Sequence, residues 1–161
     1  MRVRPAEVSD VDRLLDLYES VAAEGKFIAG ELPVDRPRRR TSWVALIEGD
    51  SPGRSFLADA GGAFVGMASV TGVSPLELGM MVAAEWRGKG VGTKLLEACI
   101  EYGRSSGAHK ICLEVWPHNE AALSLYEKHG FEREGYLRKQ WRRRNGELWD
   151  SVMMGLLLVD E

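Results

Sequence analysis

The sequence predicts an α/β (α+β) domain of three layers, with helices on both faces of a mixed, mainly antiparallel sheet. Two patterns predict it. Leu14, Leu15, Leu17, Tyr18 and Val21 recur at helical spacing, whereas the segments flanking Gly61-Gly62 and Asn145-Gly146 alternate as strands that meet at hairpin turns. Helices and strands therefore interleave along the chain, and helices inserted between paired strands cover both faces of the sheet. Length agrees with this: 161 residues at 45% hydrophobic content support one well-buried core, so residues 1–161 are expected to form a single domain.

The elements follow in order. Val3 opens a short strand, and Ser9-Asp10-Val11-Asp12 has the form of a helix N-cap with an acidic first turn, its helix running to Gly25. From Phe27 to Asp50 a stretch interrupted by Gly and Pro leads into a second helix, predicted near Thr41 to Ile47. Ser55–Ala60 and Ala63–Val70 form a hairpin, Leu76–Val82 a fourth strand, and about Val91–Ser106 a helix. The apolar run Ile111–Val115 reads as a strand and Asn119–His129 as a short helix. Phe131–Trp141 and Leu148–Leu158 close the chain as a hairpin through Asn145-Gly146, predicted to be a type I′ turn.

Charge and composition exclude several classes. A net charge of −3 argues against a nucleic-acid-binding surface, and the basic runs Arg36–Arg40 and Arg138–Arg144 are read first as solvated faces, with an acidic-ligand site as the alternative. The first ten residues carry no apolar leader, and no uncharged run approaches the roughly eighteen residues that a membrane span needs. A cytoplasmic protein with neither nucleic-acid nor membrane partner is expected. Cys99 and Cys112 read as buried reduced thiols. His109, His118 and His129 lack partners at ligand spacing, so no metal is expected.

The most informative stretch is EWRGKGVGTKLLEACI, in which Gly88, Gly90 and Gly92 lie between a strand and a helix. Glycines at a helix start leave backbone N–H groups uncovered, the geometry that grips a phosphate. A Walker loop and a dinucleotide fingerprint both fail at Thr93, where each needs glycine. The pattern that fits is R-x-x-G-x-G, Arg87 to Gly92. A second constellation is WPHNEAALSLYEKHGF: Asn119 can cap the short helix, and Tyr126, seven residues on, shares its face about 10 Å away.

On these two motifs the chain resembles the GNAT superfamily of acetyl-CoA-dependent N-acetyltransferases. The resemblance covers essentially the whole chain and is strongest from Leu76 to Phe131. It implies a sheet splayed between the fourth and fifth strands, with acetyl-CoA as the acetyl donor. The pyrophosphate would lie on Arg87, Gly88, Lys89, Gly90, Val91, Gly92 and Thr93, and the pantetheine on the backbone of Met80, Met81 and Val82, whose amides would also polarise the thioester carbonyl. Asn119 would contact the cofactor arm. Tyr126 would be the general acid to the departing thiolate.

Amide formation also needs a proton taken from the attacking ammonium. Glu77, on the strand entering the site, is the candidate base, with a solvent-facing strand residue or a water relay as the alternative. Trp43, Trp116, Trp141 and Trp149 fall in segments that rim the acceptor cleft of family members, and are read as an aromatic acceptor pocket or as core; Trp86 is read as packing. The tail from Phe131 is most similar to the bacterial branch acting on small amines and amino acids. The expected acceptor is therefore a free amino acid or similar small amine. A protein N-terminus, a polyamine, an antibiotic, or a non-enzymatic acetyl-CoA sensor are the alternatives. The apolar run Val152–Leu158 suggests pairing across a homodimer axis.

Overall fold

Alternation along the strands decides which helices go where. In the computed structural model, which describes residues 1–160, seven strands form one sheet: β1 (Arg2–Pro5), β2 (Gly53–Ala60), β3 (Ala63–Thr71), β4 (Leu76–Val82), β5 (Lys110–Val115), β6 (Glu132–Arg142) and β7 (Leu148–Leu157). Neighbouring residues on β2 and β3 point to opposite faces, so Leu57 and Met67 join one core while Ala58 and Ala68 join the other. The first core is closed by α1 (Val11–Glu24) and α2 (Arg36–Glu48), through Leu14, Leu17, Tyr18 and Val21 with Trp43 and Ile47 against them. The second is closed by α3 (Val91–Ser105) and α4 (Glu120–Lys128), through Leu95, Leu96, Cys99, Leu123 and Tyr126. Each fully buried leucine contributes about 1.5–3 kcal/mol, which is why the apolar stripe fixes each helix to its face.

The strand order is β1-β2-β3-β4-β5-β7-β6, and every neighbouring pair is antiparallel except β4 with β5. That parallel pair is short. Leu76 pairs with Ile111 and Glu77 with Cys112, after which the strands part, while β4 stays paired to β3 as far as Val82. From Leu78 onward the edge of β4 that faces β5 is unpaired, which opens a fork in the middle of the sheet.

Four details depart from the sequence reading. The first helix is entered through a turn of 3₁₀ helix at Val8–Asp10, and its cap is a reciprocal box between Glu7 and Asp10 rather than Ser9. Helix α2 begins at Arg36, five residues before the expected start, because the Asp35 carboxylate accepts from the Arg38 N–H at 3.1 Å and Pro37 lies in the first turn, where a missing N–H costs nothing. The last hairpin does not turn as type I′: of Asn145 and Gly146 only the glycine has positive φ, and the Arg143 N–H reaches the Glu147 carbonyl across a longer loop. Asn145 instead accepts from the Glu147 N–H through its side chain at 2.9 Å. Finally, β7 is inserted between β5 and β6, so both its edges are occupied and Val152–Leu158 cannot extend the sheet across a dimer axis.

Candidate active site

The fork opens into a cleft of about 1140 Å³, floored by Leu78–Val82 and walled by the glycine loop, α4, α1 and the segment Phe27–Gly30. Gly88 and Gly90 hold φ of +73° and +84°, and a Cβ at either would meet nothing within 4 Å, so their backbone faces open cleft. Gly92 serves packing instead, since a Cβ there would stand 3.1 Å from Leu125 of α4. The Lys94 N–H bonds to the Gly90 carbonyl at 3.2 Å, leaving the amides of Val91, Gly92 and Thr93 ahead of the ladder, free for an anion and at the positive end of α3.

The side chains of the loop do other work. Arg87 donates from both terminal nitrogens to the Glu24 carboxylate, at 2.6 Å each, and its guanidinium lies 4.2 Å from the centre of the Phe27 ring. Lys89 lies over Trp86, 5.1 Å from the ring centre, outside the cleft lining, whereas Trp86 itself lines the cleft. Loop side chains thus brace the walls while its backbone faces the cleft.

Asn119 and Tyr126 both line the cleft from α4. The Asn119 side-chain oxygen accepts from the Ala122 N–H at 3.2 Å, capping the helix. Tyr126 packs its ring on Phe131, 5.6 Å between centres, and burial pushes its hydroxyl above the ordinary phenol value. Among the described residues the hydroxyl has no hydrogen-bond partner, so a neutral O–H donor remains available at the cleft.

Glu77 is exposed and sits at the closed end of the fork, opposite Cys112, outside the cleft lining. Among the described residues the carboxylate lining the cleft is Glu114, two residues beyond Cys112 on the same face of β5. Its Oε1 accepts from Ser151 Oγ at 2.9 Å and from Trp141 Nε1 at 3.4 Å. A signal for it lies in the sequence: Glu114 is the one charged residue inside the run Ile111–Val115.

The tryptophans divide. Trp43 meets Tyr18 edge-on at 5.7 Å and lines the cleft, as do Trp116 and Trp141, which meet edge-on at 5.9 Å. Trp149 stands behind Trp116, edge-on at 5.1 Å, and is not part of the lining. Behind the wall, Arg143 is buried with its guanidinium 4.4 Å from the Trp149 ring centre, and it donates to the Ala29 carbonyl at 2.9 Å. Arg144 donates its backbone N–H to Glu31 at 3.1 Å, and His118 meets the Lys26 carbonyl at 2.7 Å, so the segment between α1 and α2 is held along its length.

A cleft between parting parallel strands, with open amides at one end and a buried phenol beside it, matches a known architecture. The profile of the acetyltransferase (GNAT) family matches residues 14–131. The chain belongs to this family. Over 97% of its length it is 30% identical to the L-methionine sulfoximine/L-methionine sulfone acetyltransferase of Pseudomonas paraeruginosa, covering 94% of that protein. The solved ribosomal-protein-alanine N-acetyltransferase of Brucella melitensis superposes with a TM-score of 0.87 at 27% identity, over 98% of this chain and 99% of that one. The yncA structure from Salmonella typhimurium, solved with acetyl-CoA, shares the fold at a TM-score of 0.88 and 22% identity, over 100% of this chain and 95% of that one. As a GNAT N-acetyltransferase the protein uses acetyl-CoA as acetyl donor, and the open glycine backbone and unpaired β4 edge fit such a ligand. Among the described residues there is no group of three His, Cys, Asp or Glu side chains able to hold a metal, and no helix long and apolar enough to cross a membrane.

Proposed function

We propose that this GNAT enzyme acetylates the amine of a free amino acid or similar small amine with an apolar body, by direct attack on the thioester. The observation that carries the reading is the make-up of the acceptor half of the cleft, which Tyr18, Phe27, Trp43, Trp116 and Trp141 line; among the described residues its one carboxylate is Glu114. An aromatic wall contributes apolar contact to a small body, and the carboxylate meets its ammonium. Likeness along nearly the whole chain to an enzyme named for two methionine derivatives supports the same acceptor class.

Bound acetyl-CoA supplies the activated acetyl group. Glu114 takes the proton that the ammonium must lose before its nitrogen can attack; Glu77, exposed at the closed end of the fork, is too far along the strand for that task in this reading. Gly88, Gly90 and the first amides of α3 hold the pyrophosphate, and Asn119 turns its amide group to the pantetheine arm. The β4 backbone from Met80 to Val82 orients the thioester carbonyl and donates to its oxygen as negative charge develops there. Tyr126 gives its proton to the sulfur as the carbon–sulfur bond breaks, and burial keeps that proton in place until then.

A turnover panel of amino acids, simple amines, polyamines, aminoglycosides and N-terminal peptides tests the acceptor. Free amino acids or matched small amines should show the highest kcat/KM. If polyamines, aminoglycosides or peptides exceed every amino acid and small amine tried, the acceptor assignment is wrong and acetyl transfer alone survives.

A further inference from the structure

Helix α2 carries arginines at positions 36, 38, 39 and 40, and helical geometry sorts them. Residues four apart share a face, which places Arg36 with Arg40 and Arg39 with Trp43. The first pair is committed to α1: Arg36 bonds to Glu19 and, at 3.0 Å, to Asp16, while Arg40 lies 3.4 Å from Asp12. Arg39 has no carboxylate within ion-pairing distance among the described residues. Its guanidinium lies 4.2 Å from the centre of the Tyr18 ring, and it lines the cleft beside Tyr18 and Trp43.

The other charges of the cleft are accounted for. Arg87 is taken up by Glu24. Lys128 and His129 end α4, on the opposite face of the sheet from α1 and α2. Arg143, although buried behind the aromatic wall, holds the Ala29 carbonyl and lies outside the lining. Among the described residues the acceptor half therefore carries one uncommitted cation, Arg39, and one carboxylate, Glu114.

These are the complements of a zwitterion. A guanidinium held against an aromatic face keeps its in-plane N–H donors for a second partner, and a carboxylate fits them two at a time. We infer that Arg39 reads an anionic group on the acceptor, the carboxylate of a free amino acid, while Glu114 meets the ammonium. The inference rests on the small-amine reading above and narrows it. A polyamine has no anion to offer Arg39, and the N-terminal residue of a peptide has lost its own carboxylate to an amide bond. Tyr18 holds Arg39 in place, and Gly30 leaves room for Tyr18, since a Cβ at residue 30 would collide with the Tyr18 hydroxyl.

The test compares acceptors that differ only in the carboxylate: phenylalanine with phenethylamine, tryptophan with tryptamine, and methionine with 3-(methylthio)propylamine. For each pair the ratio of kcat/KM is measured in the wild type, Arg39→Ala and Arg39→Lys, with acetyl-CoA titration reporting that each variant is folded. The wild type should favour the amino acid. Arg39→Ala should reduce that preference about ten- to a hundredfold, chiefly through KM, as expected for loss of a charge-assisted hydrogen-bonded contact, and Arg39→Lys should restore part of it. An unchanged ratio in folded Arg39→Ala overturns the inference and leaves the small-amine reading standing. So does a wild type that acetylates the amines in preference to the amino acids. A wild type that acetylates neither member of any pair, while acetylating a polyamine or peptide, overturns both.

Discussion

Arg87 donates two hydrogen bonds of 2.6 Å to the Glu24 carboxylate, so the glycine loop is joined to the end of α1, beside the segment Phe27–Gly30. Phe27, in that segment, packs on the same guanidinium at 4.2 Å. One arginine thus braces two walls of the cleft. Glu24→Gln should raise the acceptor KM and weaken acetyl-CoA binding together, each by a few fold, because the partly exposed pair is worth about 1 kcal/mol. Arg87 beside it holds the Glu24 carboxyl below its ordinary range. For a depressed carboxyl, the stabilisation is present above the unfolded value and lost as pH falls through the folded one. Melting curves of wild type and variant should therefore differ near neutral pH and converge in acid; a gap that persists in acid contradicts the ion pair.

Gly90→Asp should weaken acetyl-CoA binding by tenfold or more while the domain stays folded. The space beyond its Cα is open and Asp tolerates positive φ better than most residues, so the fold survives. The added carboxylate would stand where the pyrophosphate lies in the proposed complex. Calorimetric titration with CoA, alongside circular dichroism, checks both halves of the statement.

Tyr126→Phe keeps the packing on Phe131 and removes the donor. Because a thiol leaves with little help, kcat should fall toward the lower end of the ~10²–10⁴-fold range of general-acid losses, with the KM for acetyl-CoA little changed. Burial raises the tyrosine above its ordinary value, so its deprotonation should leave no descending limb below about pH 10 in the wild-type profile. Glu114→Gln should lower kcat by a comparable or larger factor, and Glu77→Gln should not; steady-state kinetics on the three variants separates them.

Legibility from sequence followed the strength of local signals. The period-two strands, the helix after Gly92 and the Asn119 cap stood out because one residue type repeats at a diagnostic interval. The start of α2 did not, because a proline amid four arginines reads as a loop until Asp35 is seen to cap it. The insertion of β7 between β5 and β6 has no local signature at all, since pairing partners far apart in sequence are chosen by the sheet. Of the cleft lining, motif residues such as Gly88, Gly90 and Tyr126 stand out in the sequence. Glu114 is obscured by its apolar neighbours, and Arg39 by the charge run around it, which hides that Arg39 reaches the cleft while Arg36 and Arg40 pair with α1.

Trp141→Ala and Trp149→Ala should behave differently despite the two residues facing each other across β6 and β7. Trp141 lines the cleft, so its truncation should raise the acceptor KM, removing about 1–3 kcal/mol of apolar contact, with acetyl-CoA affinity preserved. Trp149 supports Trp116 and Arg143 from behind, so its loss should appear first as a lower melting temperature. Paired kinetics and thermal melts decide between the two patterns.

The place of β7 also sets a timetable for synthesis. β5, which carries Glu114, borders β4 over only two residue pairs and β7 over six. Its firmer neighbour is the last of the seven strands in chain order. Until residues 148–157 emerge, the nascent chain holds β5 by one short parallel contact and β6 has no partner, so this half of the sheet forms only after β7 is available. Truncation just upstream of Leu148 should therefore cost the β5–β6 wall that carries Glu114, Trp116 and Trp141, while the β1–β4 meander beside it is already paired.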